Sequence, residues 1–418
     1  MLVRSQRTVR WKIVNKLAPL FRSLITFAAP ENCARTLLIE IKRTHFNSRD
    51  TSSAAMIIDN TTSAGPIWRH GRRPGKLRVG IAGAGWVTQY HLPAWRAHAQ
   101  RAEVVAIADP DAGRRAERMR DHGIAAGFES VEAMLEQADI DILDVAAPRE
   151  VHAGLVRLAN ARGLSVLCQK PLATNLDEAR ALVAQVDPAA PLMVHDNWRF
   201  RATYRMIRSW LDDGVAGALR RVELHYLSSG MIPDANGERP ALVRQPNFVE
   251  IERLLVMEVL IHQLDTLRFL LGDLELIDAR LARSSDVIVG EDIATLTLRR
   301  SSDGLPVEVV GNLATHGEPP QARDQLRIYG ADATIDLDGF RLRCAGARAH
   351  DEAFDPDRTY QGSYDSAIGH FLDGLEQGTP FETAPDDNLR TLALVEAAYG
   401  FTRPRMRYAG GEENRSRP

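Results

Sequence analysis

A lysine, a glutamate, a histidine and an aspartate stand out in this chain as groups able to hold or move a proton. Lys170 lies in Gln169-Lys170-Pro171, at the end of SVLCQKP (165 to 171), an apolar run of strand length. Open α/β sheets place ligand-contacting groups at the carboxyl ends of their strands, and the proline ends the strand and fixes the lysine at the cleft edge. Taken alone, a lysine there is more often solvated than catalytic. Glu258, His262 and Asp265 follow at steps of four and three, which puts them on one strip of a long helix predicted near 250 to 271. Their neighbours, from Leu254 through Phe269, are mostly apolar, so ionisable groups on that helix must be paired, neutral or facing a cleft. A structural histidine between two carboxylates fits this pattern until the lysine is counted. A carboxylate, an imidazole and an ammonium converging beside a cofactor are what acid/base chemistry requires.

A third group lies at cleft-edge positions: Pro148 and His152 just past a strand and opening a helix, then His195, Asn197 and Arg199. Asn197 and Arg199 are read as substrate contacts, together with Glu258 and Asp265. Pro148 and His152 are candidate cofactor contacts, although a histidine at a helix start is commonly a capping or surface residue.

The elements that position these groups begin with LRVGIAGAGWVTQYH at 77 to 91, which reads as buried strand, glycine-rich turn and helix start. Gly83 permits the tight turn and Gly85 lets a pyrophosphate approach the backbone, where helix amides and dipole favour negative charge. The expected cofactor contacts here are Gly83, Gly85, Trp86 and Val87, with Gln169 and Lys170 across the cleft. Thr88 holds the third fingerprint position instead of Gly or Ala, which predicts slightly looser packing of helix on strand. The next strand, EVVAIAD (103 to 109), ends on Asp109, where a carboxylate would accept hydrogen bonds from a ribose. Asp109-Pro110-Asp111 crowds that edge with two carboxylates and would repel a 2'-phosphate. NAD is therefore favoured over NADP, with Arg114 and Arg115 as the opposing features.

Strands ILDVAAP, SVLCQKP and LMVHDNW, separated by helical stretches, continue the βαβ series and predict a doubly wound parallel sheet for residues 76 to 198. Beyond it, VELHYL, ELIDARLA, IATLTLRR, VEVVGNLAT and QLRIYGA read as strands of a mostly antiparallel open sheet, covered by helices on one face and free as a subunit interface on the other. This second, α+β domain is placed at 199 to 410, ending in a helix at 386 to 399, with a tail at 411 to 418. Residues 228 to 250 form a polar insertion read as a solvated loop. The alternative is a lid bringing Arg239 or Arg244 to an acidic or phosphorylated ligand.

At 418 residues, 44% hydrophobic and 26% charged with formal net charge -3, nothing suggests a nucleic-acid binder. Three widely spaced cysteines argue against a disulfide framework or metal cluster and fit a reducing cytoplasm. No apolar run has the roughly 18 to 20 residues of a membrane span. Residues 1 to 75 differ from the rest, with no acidic residue before Glu31. They read as a disordered extension or a start assigned too far upstream, Met56 being the alternative, and less readily as a targeting leader.

GAGWVTQYHLPAW, the Asp109 strand end, AAPREVHAGLV, QKPLAT, HDNWRF, the E-x-x-x-H-x-x-D-x-x-R helix and the ED-x-A-x-L strand together resemble the glucose-fructose oxidoreductase, inositol dehydrogenase and MocA family over about residues 76 to 405. The resemblance implies an NAD(P)-dependent dehydrogenase of a sugar, cyclitol or related polyol, working as a homodimer or homotetramer. By motif, Lys170 and His262 match the family's catalytic lysine and histidine, and Glu258 its acidic position before that histidine. Gln169 stands where the family usually has Glu, Glu258 where it has Asp, and Leu260 where glycine is common. The first change is expected to remove a negative neighbour of Lys170. A nicotinamide-binding protein without catalysis, and a hydrolase or lyase using tightly bound NAD for transient oxidation, remain as alternatives.

Overall fold

The computed structural model describes residues 75–187, 189–346, 349–401 and 406–407. The N-terminal extension apart from Gly75, the alternative start at Met56 and the C-terminal tail lie outside them. No helix among the described residues is long and apolar enough to cross a membrane.

Short apolar runs form the parallel strands β1 (Leu77–Ala82), β2 (Ala102–Ala108), β3 (Ala126–Phe128), β4 (Ile142–Val145), β5 (Ser165–Gln169) and β6 (Leu192–His195), in the order β3-β2-β1-β4-β5-β6. Strands β4, β5 and β6 are buried along their whole length, as a sheet covered on both faces requires. The crossovers are α1 (Thr88–Ala97), α2 (Ala112–His122), α3 (Val131–Gln137), α4 (Arg149–Asn160) and α5 (Leu176–Gln185). Local chemistry sets their ends. Asp111 caps α2 by accepting from the Gly113 and Arg114 amides, and Asn175 caps α5 by accepting from the Glu178 amide. Gly123 stops α2 in the left-handed conformation.

The chain then passes through α6 (Ala202–Asp212), β7 (Leu219–Leu227) and the short α7 (Pro240–Arg244) to the buried helix expected near 250 to 271. That helix differs from expectation: Leu255–Leu260 is π-helical, and only Ile261–Leu271, α8, is α-helical. Strands β8 (Leu274–Arg283), β9 (Ile293–Arg300), β10 (Pro306–Asn312), β11 (Arg323–Gly330), β12 (Ala333–Asp338), β13 (Arg341–Gly346) and β14 (His350–Ala353) follow. With β7 and a two-residue β15 (Met406–Arg407) they form one sheet ordered β14-β13-β12-β11-β7-β10-β9-β8-β15, antiparallel except for the β7–β10 and β8–β15 pairs. Alternate residues are buried, and the outward ones form charged ladders such as Arg327–Asp336 and Arg341–Asp351.

The strands β3, β12, β13 and β14 and the longest helix, α9 (Pro356–Gln377), are absent from the elements expected from the sequence. Helix α9 packs on α1, and its Tyr364, Ala367, Ile368, Phe371 and Leu372 join Val79, Ile81, Leu92, Trp95 and Ile107 in one core. The C-terminal quarter of the chain thus completes a face of the first sheet. Three glycines dilute the helical signal of α9, and two of them serve contact. A Cβ at Gly369 would lie 3.0 Å from His98 Cε1, and one at Gly374 would collide with the Phe381 ring. Helix α10 (Pro385–Gly400) packs on α5, α8 and β8 and closes the second layer.

Phe371 is fully buried in this shared core. Phe371→Ala is expected to cost about 3–5 kcal/mol in urea unfolding. A loss below about 1 kcal/mol would mean that α9 contributes little to the first sheet.

Candidate active site

A cleft of about 2080 Å³ runs past the carboxyl ends of the parallel strands and under the second sheet. Its lining includes Gly83, Gly85, Trp86, Val87, Asp109, Pro148, His152, Gln169, Lys170, Asn197, Glu258 and His262. Arg199 and Asp265 are not among the lining residues.

The dinucleotide end is built from the turn after β1. Gly83 has φ +105°, and a Cβ there would run into the Ala146 carbonyl, so the turn requires glycine. Gly85 faces open space, with nothing within 4 Å of an added Cβ, and leaves the bare backbone approach that a pyrophosphate needs. Thr88 gives up the close packing of a third glycine but braces the turn, its hydroxyl donating to the Gly85 carbonyl at 2.6 Å. Asp109 is buried. Its carboxylate accepts from the Ala84 amide at 2.7 Å and the Asp111 amide at 2.8 Å, which ties the end of β2 to the glycine turn and leaves further lone pairs for a ribose. Arg114 approaches Asp111 at 3.2 Å and Asp109 at 3.8 Å, so the cation that could have served a 2'-phosphate is paired with the two carboxylates.

At the other end, Lys170 Nζ donates to the Glu258 carbonyl at 2.7 Å and lies 3.9 Å from its carboxylate. The Lys170–Pro171 peptide is cis. The Glu258 carboxylate is engaged mainly by Arg149 at the start of α4. Glu258 lies in the π-helical segment, a geometry frequent at functional sites, so it does not stack one regular turn below His262.

His262 is oriented by a residue that the sequence reading passed over. Its Nδ1 lies 2.7 Å from Asp196 Oδ1, and its ring stacks on Trp198 with centroids 4.2 Å apart. Burial pushes the His262 pKa well down, and Lys170 and Arg201 add to this; burial also raises Asp196 to about 6 against the pull of Arg199 and Lys170. Near neutral pH the pair is therefore a neutral imidazole donating from Nδ1 to a carboxylate, which leaves Nε2 as the acceptor. Trp198 is fixed in turn by Asp324, which accepts from Trp198 Nε1 at 2.9 Å, Arg201 at 3.1 Å and Gln263 at 2.8 Å. Nothing in the sequence marks Asp324 on β11. Asp196 and Trp198 do lie in the HDNWRF turn and Arg201 directly follows it, interleaved with Asn197 and Arg199.

Three expectations need correction. Asp265 and Arg199 bind each other through two hydrogen bonds of 2.6 and 2.7 Å in the interior, so neither presents itself to a substrate. His152 is buried rather than a surface cap: its ring nitrogens lie 2.8 Å from the carbonyls of Ala147 and Pro171, tying together the turns after β4 and β5. Gln169 turns away from Lys170, as alternation along a strand demands, and its amide meets His91 Nε2 at 2.7 Å and His195 Nδ1 at 3.1 Å. His91 Nδ1 is bound to Asp144 at 2.8 Å, so a group that donates is what His91 Nε2 needs. The glutamine thus serves a buried histidine pair and does not act on Lys170. Asn197 lines the cleft but donates to Ser363 of α9 at 2.7 Å.

Fold and cleft define a two-domain, dinucleotide-dependent oxidoreductase. Residues 77–193 match the oxidoreductase family with NAD-binding Rossmann fold, and residues 204–336 match the GFO/IDH/MocA C-terminal domain. A D-apiose dehydrogenase of Paraburkholderia graminis is 32% identical over 340 residues, 78% of this chain and 87% of that one. An inositol 2-dehydrogenase of Rhizobium meliloti is 24% identical over 77% of this chain and 96% of its own length. Among solved structures, an oxidoreductase from Agrobacterium radiobacter in complex with NAD+, L-tartaric acid and magnesium superposes with TM-score 0.71 at 29% identity, covering 78% of this chain and 96% of that one. The chain belongs to the GFO/IDH/MocA oxidoreductase family.

The two glycines of the turn separate experimentally. Gly83→Ala is expected to lower thermal stability as well as NADH binding, because backbone and carbonyl must both move. Gly85→Ala should leave the melting temperature within about 1–2 °C and weaken NADH at least about tenfold in a fluorescence titration, since its methyl enters only the cleft. Unchanged NADH affinity in Gly85→Ala would place the pyrophosphate elsewhere.

Proposed function

We propose that the chain is an NAD-dependent dehydrogenase that moves a hydride between the cofactor and a secondary alcohol of a sugar, cyclitol or related polyol, with Lys170 and His262 as its catalytic residues. The observation that carries this reading is that a lysine from the end of a parallel strand and a neutral, carboxylate-oriented histidine from the second domain line one cleft with the glycine turn. The nicotinamide, when bound, supplies the hydride acceptor. His262 Nε2 takes the hydroxyl proton, and Lys170 Nζ hydrogen-bonds the same oxygen and stabilises its developing negative charge. The alcohol loses one hydride and one proton and becomes a carbonyl. Asp196 stabilises the imidazolium that forms, and Glu258, held by Arg149, positions Lys170 through its backbone carbonyl. The named relatives are dehydrogenases, which favours this over a non-catalytic binder or a hydrolase or lyase. Buried free thiols at Cys168 and Cys344 support a reducing cytoplasm, and the outward residues of the second sheet, half-buried or exposed in the single chain, support association of copies into a dimer or tetramer.

A polyol and sugar screen that follows NADH formation tests the reaction. Lys170→Ala and His262→Ala should each lower kcat by at least about a hundredfold with NADH affinity nearly intact, and near-normal turnover in either variant would remove its role.

The pH dependence follows from Asp196. Its pKa is raised to about 6, so kcat/KM for alcohol oxidation should fall as pH drops through about 6, where the carboxylate takes up a proton and the paired histidine loses its orienting charge. Asp196→Asn should lower kcat at least about tenfold and abolish that limb. A limb that survives in Asp196→Asn belongs to another group.

A further inference from the structure

Cations line the whole cleft, and nearly all of them are paired. Arg114 meets Asp109 and Asp111, Arg149 and Lys170 share Glu258, Arg201 meets Asp324, Arg253 meets Glu396, and Arg323 meets Glu318 and Asp338. Arg244 alone among the described cleft cations has no carboxylate within 4 Å among the described residues. It is exposed at the end of α7, so its guanidinium is available from the cleft.

The segment carrying Arg244 is anchored. The Met231 amide donates to the Leu313 carbonyl at 2.8 Å, the Ala241 amide to the Gly230 carbonyl at 2.9 Å, and Met231, Ala241 and Phe248 are buried. Residues 228 to 232 and 240 to 250 are therefore fixed along the cleft wall, whereas 233 to 238 between them are exposed, as the solvated-loop reading expects. Arg239, the other basic candidate of this wall, turns to Asp286 at 3.8 Å and does not line the cleft. Helix α7 is anchored on Gly230, just beyond the end of β7, and Tyr226 of β7 pairs with Asp324 of β11, the residue that holds Trp198, so α7 stands at that end of the cleft; the charge of Arg244 is felt at Tyr226 and also at Tyr90 of α1.

We propose that Arg244 is a specificity-determining residue that receives a carboxylate of the substrate, so that the polyol oxidised here is a hydroxy acid of the aldonate type. This rests on the dehydrogenase reading above. A planar guanidinium offers a paired donor fork that matches a carboxylate. One unpaired cation among compensated neighbours matches a monoanion and not a phosphate dianion, which would leave excess negative charge beside Glu258 and Asp324.

The test uses the full chain with three matched classes of probe: aldonates, the corresponding neutral alditols, and alditol phosphates. Binding to the NADH-loaded protein is measured by calorimetry and turnover by NADH formation with NAD. The expected result is that one or more aldonates bind at least about tenfold tighter than their alditols. Arg244→Gln should then raise the aldonate Kd and KM about tenfold or more, leave kcat within about twofold, and leave alditol binding unchanged, while Arg244→Lys recovers part of the loss. Equal binding of acid and alditol, a preference for the phosphates, or an acid preference unaltered in Arg244→Gln would each overturn the assignment. Arg244-dependent acid binding without NADH formation from any probe would instead count against the dehydrogenase reading and leave the anion site standing.

Discussion

The bond from Lys170 Nζ to the Glu258 carbonyl spans the two halves of the site, and the rest of the cleft is arranged around it. Its donor stands at the end of β5 in the parallel sheet, and its acceptor lies in the π-helical segment of the second domain. Arg149, from the opening of α4, reaches the same glutamate through its carboxylate. One acidic residue thus receives a cation from each of two neighbouring strand ends, and its backbone and side chain are used separately. Arg149 also meets Glu150 at 3.1 Å, so the two cations face two carboxylates and the local charge is balanced.

The second constraint is rotational. Helix α8 is buried on nearly every side, so burial alone does not specify which residues face the cleft. Polar anchors supply the specification. His262 is held by Asp196, Gln263 by Asp324, Asp265 by Arg199, and Arg268 by Asp387 and Thr391. These residues point around the helix in different directions, so only one rotation satisfies them all. Buried ion pairs contribute little net stability because desolvation offsets their attraction, but breaking one is costly. The Arg199–Asp265 pair therefore acts as a lock on the angle at which His262 meets the substrate.

Much of this was legible in the sequence wherever one element carried its own signal. The glycine turn, the continuous apolar strands and the Lys170 and His262 positions follow from short motifs and from the burial that strand and helix periods imply. What the sequence could not reveal depended on partners far away in the chain. Asp324 gives no local hint that it will collect Trp198, Arg201 and Gln263, and Arg199 looked like a cleft residue because its partner Asp265 is visible only in three dimensions. Helix α9 was hidden by glycines that weaken helical propensity yet allow close contact. Gln169 neighbours Lys170 in sequence but not in space, because its side chain turns to His91 and His195.

The return of α9 to the first sheet also bears on how the chain is made. About 160 residues separate the end of β6 at His195 from the start of α9 at Pro356. At roughly 5–20 residues per second, the ribosome needs about 8 to 32 s to emit them. For that interval the nascent parallel sheet and α1 carry an apolar face, with Ile81 and Ile107 on the strands and Trp95 on the helix, for which the final cover has not yet been synthesised. The nucleotide-binding domain is therefore synthesised before the second domain yet is among the last parts to be finished, a window in which chaperones or bound dinucleotide would have most influence on its yield.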